Sequence, residues 1–135
     1  MDVCRAAKPV FLILESAFLH PLWHHFRVHV DLENSEKFLS SSEAIADDAL
    51  WMEDYRRPRV TSASKIFDQK YGSQLRAMLG GNVKALVATG QITSKTIVKF
   101  FWACGVPVFE GYSSAEALLA TCNTPSFVKL GTHGM

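Results

Sequence analysis

The chain has 135 residues, 48% of them hydrophobic and 20% charged, and a formal net charge of +1. That length suits one domain with a real core and is too short for two. The near-neutral balance gives no polyanion-binding surface, so no nucleic-acid partner is expected. Arg56-Arg57-Pro58-Arg59 is the only basic cluster and reads as a solvated turn. Cys4, Cys104 and Cys122 have no metal-ligand spacing and cannot all pair with one another. They fit a reducing compartment, and a cytoplasmic location is expected. The longest apolar run, Pro9–Leu14, is too short to span a bilayer. Glu15 interrupts it and no small-residue cleavage site follows, so no signal peptide is expected. A peripheral membrane contact is left open.

In chain order, Lys8-Pro9-Val10-Phe11-Leu12-Ile13-Leu14 reads as a buried strand, being short, continuous and apolar. Residues 16–30 read as a helix in which Pro21 fits only near the first turn. Asn34-Ser35 is placed to cap a second helix over residues 36–56, which Pro58 ends. Ser62 or Ser64 starts a third helix through Ile66, Phe67 and Tyr71, with a break expected at Gly72 and a stop at Gly80-Gly81. Val83–Ala88 is a compact apolar strand. Thr93 or Ser94 caps the next helix, which carries Ile97, Val98, Phe101 and Trp102 and ends at Gly105. Cys104, on that helix ahead of its cap, is expected in the core. Val106–Phe109 is the following strand. Strand–helix–strand over residues 83–110 has the length of one crossover, which predicts parallel strands and an α/β fold with a small parallel sheet. No repeat, linker or domain boundary interrupts the chain.

Such a unit sets two loops side by side at the carboxyl ends of its strands, the edge where open α/β sheets bind ligands. One loop is Thr89-Gly90-Gln91-Ile92-Thr93 and the other is Gly111-Tyr112-Ser113-Ser114-Ala115-Glu116. Together they offer a glycine-permitted backbone approach, an aromatic face, hydroxyls and one carboxylate. A nucleotide with a divalent cation on its phosphates needs that mixture. Two ordinary turns rich in small polar residues explain the same composition.

From Lys65 to Gly134 the chain resembles long-chain fatty acid–CoA ligases of the adenylate-forming, or AMP-binding, superfamily. Leu79-Gly80-Gly81-Asn82-Val83-Lys84 looks like the family's Leu-Gly-Gly turn into a strand. Thr89-Gly90-Gln91-Ile92-Thr93-Ser94 lies where the family has Gly-Gly-Ala-Pro-Leu-Ser. Gly105-Val106-Pro107-Val108-Phe109-Glu110-Gly111-Tyr112 is similar to its strand and Gly-Tyr ending. Lys129-Leu130-Gly131-Thr132-His133-Gly134 looks like the glycine turn that follows. The resemblance implies that residues 1–135 are one partial AMP-binding domain, part of the large N-terminal domain of an adenylate-forming enzyme. It implies ATP, magnesium and coenzyme A as cofactors or co-substrates and a fatty acid as the acyl donor. Tyr112 would lie against adenine, with Gly111 letting the backbone approach. Gly90 and Gln91 would border adenine and the acyl pocket. Glu116 would be the catalytic carboxylate on magnesium.

The chain departs from that pattern at named places. Ser113-Ser114-Ala115-Glu116 stands where the family has Gly-x-Thr-Glu, so Ala115 lacks the hydroxyl aimed at phosphate and Ser114 is offset by one. Gln91 and Ile92 replace Ala-Pro. No Ser/Thr/Gly-rich loop ending in Pro-Lys-Gly occurs, and neither does the catalytic lysine of the family's C-terminal domain. The expectation is a ligase fragment that is catalytically incomplete alone, or else a non-catalytic nucleotide-binding or interaction remnant of the same fold.

His20, His24, His25 and His29 form two i,i+4 pairs, the helical spacing for a metal. No glutamate sits within the first pair as a zinc hydrolase needs, and amphipathic filler beside Trp23 and Phe26 is the plainer reading.

Overall fold

A computed structural model describes residues 2–29, 44, 62–126 and 128–134. The helix expected over 36–56 lies outside these apart from Ala44, and so does the Arg56–Arg59 cluster. A short helix α1 (Asp2–Ala7) leads into strand β1 (Phe11–Glu15), a 3₁₀ turn (Ser16–Phe18) and helix α2 (Leu19–His29). Helix α3 (Ser62–Phe67), a π turn (Asp68–Gly72) and helix α4 (Ser73–Met78) run on without a gap. Strand β2 (Ala85–Thr89), helix α5 (Lys95–Ala103), strand β3 (Val108–Tyr112) and the two-residue strand β4 (Thr121–Cys122) complete the order.

The fold is α/β. Its sheet has the order β1-β2-β3-β4. β1 pairs parallel to β2, with Phe11 opposite Ala85 and Glu15 opposite Thr89. β2 pairs parallel to β3, with Leu86 opposite Val108 and Thr89 opposite Gly111. β4 pairs antiparallel to β3, with Gly111 opposite Cys122. The sheet is therefore mixed, not wholly parallel as expected. The antiparallel strand exists because residues 113–120 turn the chain back on β3, closed by an Ala120 N–H donated to the Tyr112 carbonyl at 2.8 Å.

Helices α2, α4 and α5 and the sheet contribute to one hydrophobic core. In α2 the residues Leu19, Leu22, Trp23 and Phe26 fall at the spacing of one helical stripe and turn inward. Phe26 meets Phe100 of α5 with ring centroids 5.5 Å apart. Arg76 of α4 donates to the Cys104 carbonyl just past α5 at 2.8 Å. Pro21 is the third residue of α2, in the first turn, where its missing N–H leaves no bond unmade.

Both glycine stops form as read. Gly80 and Gly105 have φ of +101° and +73°. Gly81 N–H reaches back to Arg76 O at 2.7 Å and Val106 N–H to Phe101 O at 3.0 Å, so each helix closes in a Schellman motif. Gly80 has a second reason to lack a side chain, because the Cys4 carbonyl of α1 occupies the place of its Cβ.

Four expectations need correction. β1 is not a buried strand. Its residues alternate, with Leu12 and Leu14 against the core and Phe11 and Ile13 outward at 64% and 74% exposure. β1 is an edge strand of the sheet, and an all-apolar sequence ends up half exposed there. The break expected at Gly72 is a π turn, which widens the helix without ending it. Ser94 occupies the N-cap of α5 but its hydroxyl makes no capping bond. The strands also run later than read, with Thr89 closing β2 and Glu110, Gly111 and Tyr112 extending β3.

Candidate functional site

The two loops named from the sequence do meet. Thr89 and Gly111 are register partners, so the turn at Gly90 and the end of β3 leave the sheet side by side. Gly90 turns with φ +101°, open to glycine and strained for other residues. A third segment, residues 129–134, closes on both. His133 Nε2 lies 3.0 Å from the Gly90 carbonyl. A carbonyl only accepts, so Nε2 carries the proton in this contact. The His133 ring stands edge-on to Tyr112 with centroids 6.0 Å apart. Tyr112 remains 48% exposed, leaving much of its surface open to solvent.

Glu110 holds the three segments in register, a role local sequence reading missed. Its side chain is 2% exposed. One carboxylate oxygen accepts the Thr93 N–H at 3.2 Å and the other accepts the Gly131 N–H at 2.9 Å. A buried carboxylate is tolerated where its oxygens meet such donors. Asn123, also buried, extends the clamp. Its side chain donates to the Thr132 carbonyl at 2.6 Å and accepts the Lys129 N–H at 3.2 Å, while its own N–H donates to the Glu110 carbonyl at 2.9 Å. Thr93 Oγ1 is buried with no hydrogen-bond partner among the described residues.

The remaining candidates lie on the returning turn. Ser113 and Ser114 are half-buried and Ala115 and Glu116 are exposed. Ser114 closes its own turn, its N–H donating to Ala117 O at 2.9 Å and its hydroxyl accepting Ala117 N–H at 3.1 Å. Glu116 is held below the usual carboxylate range, first by its own backbone N–H and then by the Ser114 hydroxyl. Its acidity thus comes from the turn itself. Gln91 and Ile92 are exposed on the other loop. The space beside Gly111 is taken: a Cβ there would lie 2.8 Å from Leu119 Cδ1 and 3.0 Å from Thr121 O. This glycine therefore admits the returning chain.

Comparison with protein-family models, curated proteins and solved structures finds no match.

No three His, Cys, Asp or Glu side chains converge among the described residues. Glu116 supplies one carboxylate, which is compatible with magnesium because that ion takes few protein ligands and fills its shell with phosphate oxygens and water. Cys4, Cys104 and Cys122 are free thiols. Cys104 is buried, as expected, and burial pushes its thiol well above the usual range. No helix among the described residues is long and apolar enough to cross a membrane.

Proposed function

We propose that this chain supplies the adenine-facing wall of an ATP-dependent fatty acid–CoA ligase domain of the adenylate-forming superfamily, and that it is catalytically incomplete alone. The observation that carries the reading is the convergence of the Gly90 turn, the Gly111-Tyr112 strand end and the His133 turn at one carboxyl edge. Adenine is a flat π surface with polar edges. A half-exposed tyrosine with the His133 ring edge-on to it suits both. In the parent chemistry a fatty acid carboxylate attacks the α-phosphate of ATP, giving acyl-adenylate and pyrophosphate, and the coenzyme A thiol then takes the acyl group. Magnesium, when bound, offsets phosphate charge. Tyr112 would pack on the base, Gly90 and Gln91 would border it, and Glu116 would serve the cation. The phosphate loop and catalytic lysine come from outside the sequence described above.

A second reading, a nucleotide-binding remnant without chemistry, is favoured by one observation. Ser114 spends its hydroxyl on its own turn and Ala115 has none, so the turn offers phosphate little. Photolabelling with 8-azido-ATP and peptide mapping tests the shared claim. Saturable labelling of the peptides around residues 90 and 112, lost in Tyr112→Ala, is expected. Labelling that is absent or maps to another part of the chain sinks both readings. Formation of acyl-CoA by this chain from fatty acid, ATP, magnesium and coenzyme A would overturn incompleteness.

A further inference from the structure

Helix α2 carries a feature that nucleotide chemistry does not use. At about 100° per residue, His25 and His29 fall within about 40° of one another on the helix surface, and His20 and His24 do the same about 140° away. The two pairs flank the buried stripe of Leu19, Leu22, Trp23 and Phe26, and all four histidines are exposed. They are separate pairs with different surroundings. His20 is set edge-on to Trp23 at 5.7 Å between centroids, next to Pro21. His25 and His29 are stacked on each other, centroids 5.2 Å apart and planes 27° from parallel.

We propose that His25 and His29 form a two-imidazole clip for a divalent late first-row cation, with Zn²⁺ as the best-fitting ion. The argument is one of size. A zinc–nitrogen bond is about 2.05 Å and the ring centre lies roughly 1.1 Å further on, so two imidazoles on one tetrahedral ion have centroids roughly 5.2 Å apart. The pair already stands at that separation. What remains is rotation of each ring about χ2, a broad torsion that barely moves its centroid and turns one nitrogen of each ring toward a shared point. Neutral imidazole is a good ligand for zinc, copper and nickel. The partial negative charge of carbonyls in the last turn of α2 favours a cation there. Arg27, the nearest cation in sequence, is drawn away, its guanidinium lying over the Trp23 ring at 4.7 Å. Among the described residues no third ligating side chain joins the pair, so the remaining coordination positions would go to water or to a carboxylate, thiolate or imidazole from a ligand.

The test is calorimetric titration of the untagged full chain with ZnCl₂, repeated for His25→Ala, His29→Ala and His24→Ala, with Ser at Cys4 and Cys122 to remove accessible thiols. One-to-one binding is expected, weakened about tenfold or more by either of the first two changes and unmoved by the third. All three histidines are exposed, so circular dichroism should not change in any variant. Absence of zinc binding overturns the clip, and so does binding that survives in both His25→Ala and His29→Ala. In the supporting case, NMR of the imidazole side chains shows zinc shifting both rings together.

Discussion

At the scale of single residues, Glu110 decides whether the site exists as a site. Its two oxygens reach residues 17 and 21 positions away, one in each neighbouring loop. Glu110→Ala strands two backbone donors and removes a charge-assisted bond to each, at a cost of about 2–3 kcal/mol. Thr93 and Gly131 amides should then exchange faster with deuterium, in step. Unchanged protection at both would mean that the loops hold themselves. Cys104 gives a pH prediction. Burial raises its thiol pKa in the folded chain, so the folded state holds the proton more tightly than the unfolded one. The stabilisation is fully present below the unfolded value, about 8.5, and is lost as pH rises above it. Denaturant midpoints should fall from about pH 8.5 upward, by at most about 1.4 kcal/mol per pH unit, with the fall reduced in Cys104→Ala. A flat alkaline profile in the parent chain would mean that the thiol ionises as readily folded as unfolded.

At the scale of elements, the rod from Ser62 to Met78 shows how one glycine joins two helices. The π turn brings Asp68 within reach of Arg76, and the two form an ion pair with a second contact at 3.0 Å. Arg76 passes this on by donating to the Cys104 carbonyl at the end of α5. A Cβ on Gly72 would collide with the Asp68 carboxylate, so Gly72 is bare to let the pair form. Gly72→Ala improves helix propensity by about 1 kcal/mol yet should destabilise the chain by about 1–2 kcal/mol through the lost pair. Thermal unfolding of Gly72→Ala against Asp68→Asn reads this directly. If Gly72→Ala stabilises while Asp68→Asn is neutral, the pair contributes nothing. The same rod marks what sequence reveals. Gly80 and Gly105 were legible because a helix stop is local chemistry, and β2, α5 and β3 because each is a contiguous periodic run. Gly72 was visible as a fault, but its meaning rests on an acid four residues before it and a guanidinium four residues after. Glu110 follows directly on the strand read over Val106–Phe109, and nothing local ties it to Thr93 or Gly131. β4 is two residues long and is a strand only by its long-range pairing with β3. Of the candidate site, the meeting of two loops followed from parallel strands. The Lys129–Gly134 turn was visible as part of the resemblance, but its closure on the two loops through His133, Glu110 and Asn123 came only from the fold.

At the scale of the whole molecule, one fact of topology governs the exposed surface. Strand order β1-β2-β3-β4 leaves β1 at an edge of the sheet. Phe11 and Ile13 point outward with Val87 half-buried beside Ile13, and β1 has no strand on its far side among the described residues. Apolar side chains on a bare edge strand are a template for self-pairing. The chain should therefore self-associate as its concentration rises. Two lysine substitutions on adjacent residues separate this from general instability. Ile13→Lys points outward and should shift the sedimentation profile toward monomer while leaving the unfolding transition in place. Leu14→Lys points to the core, where a charge without a partner is costly, and should lower stability by several kcal/mol. Alternation along β1 is the whole basis for the contrast. If both substitutions act alike, the strand does not sit on the sheet in this register, and the carboxyl-edge cluster at Gly90 loses its neighbour Ser16, whose Oγ lies 3.7 Å from where a Gly90 Cβ would be.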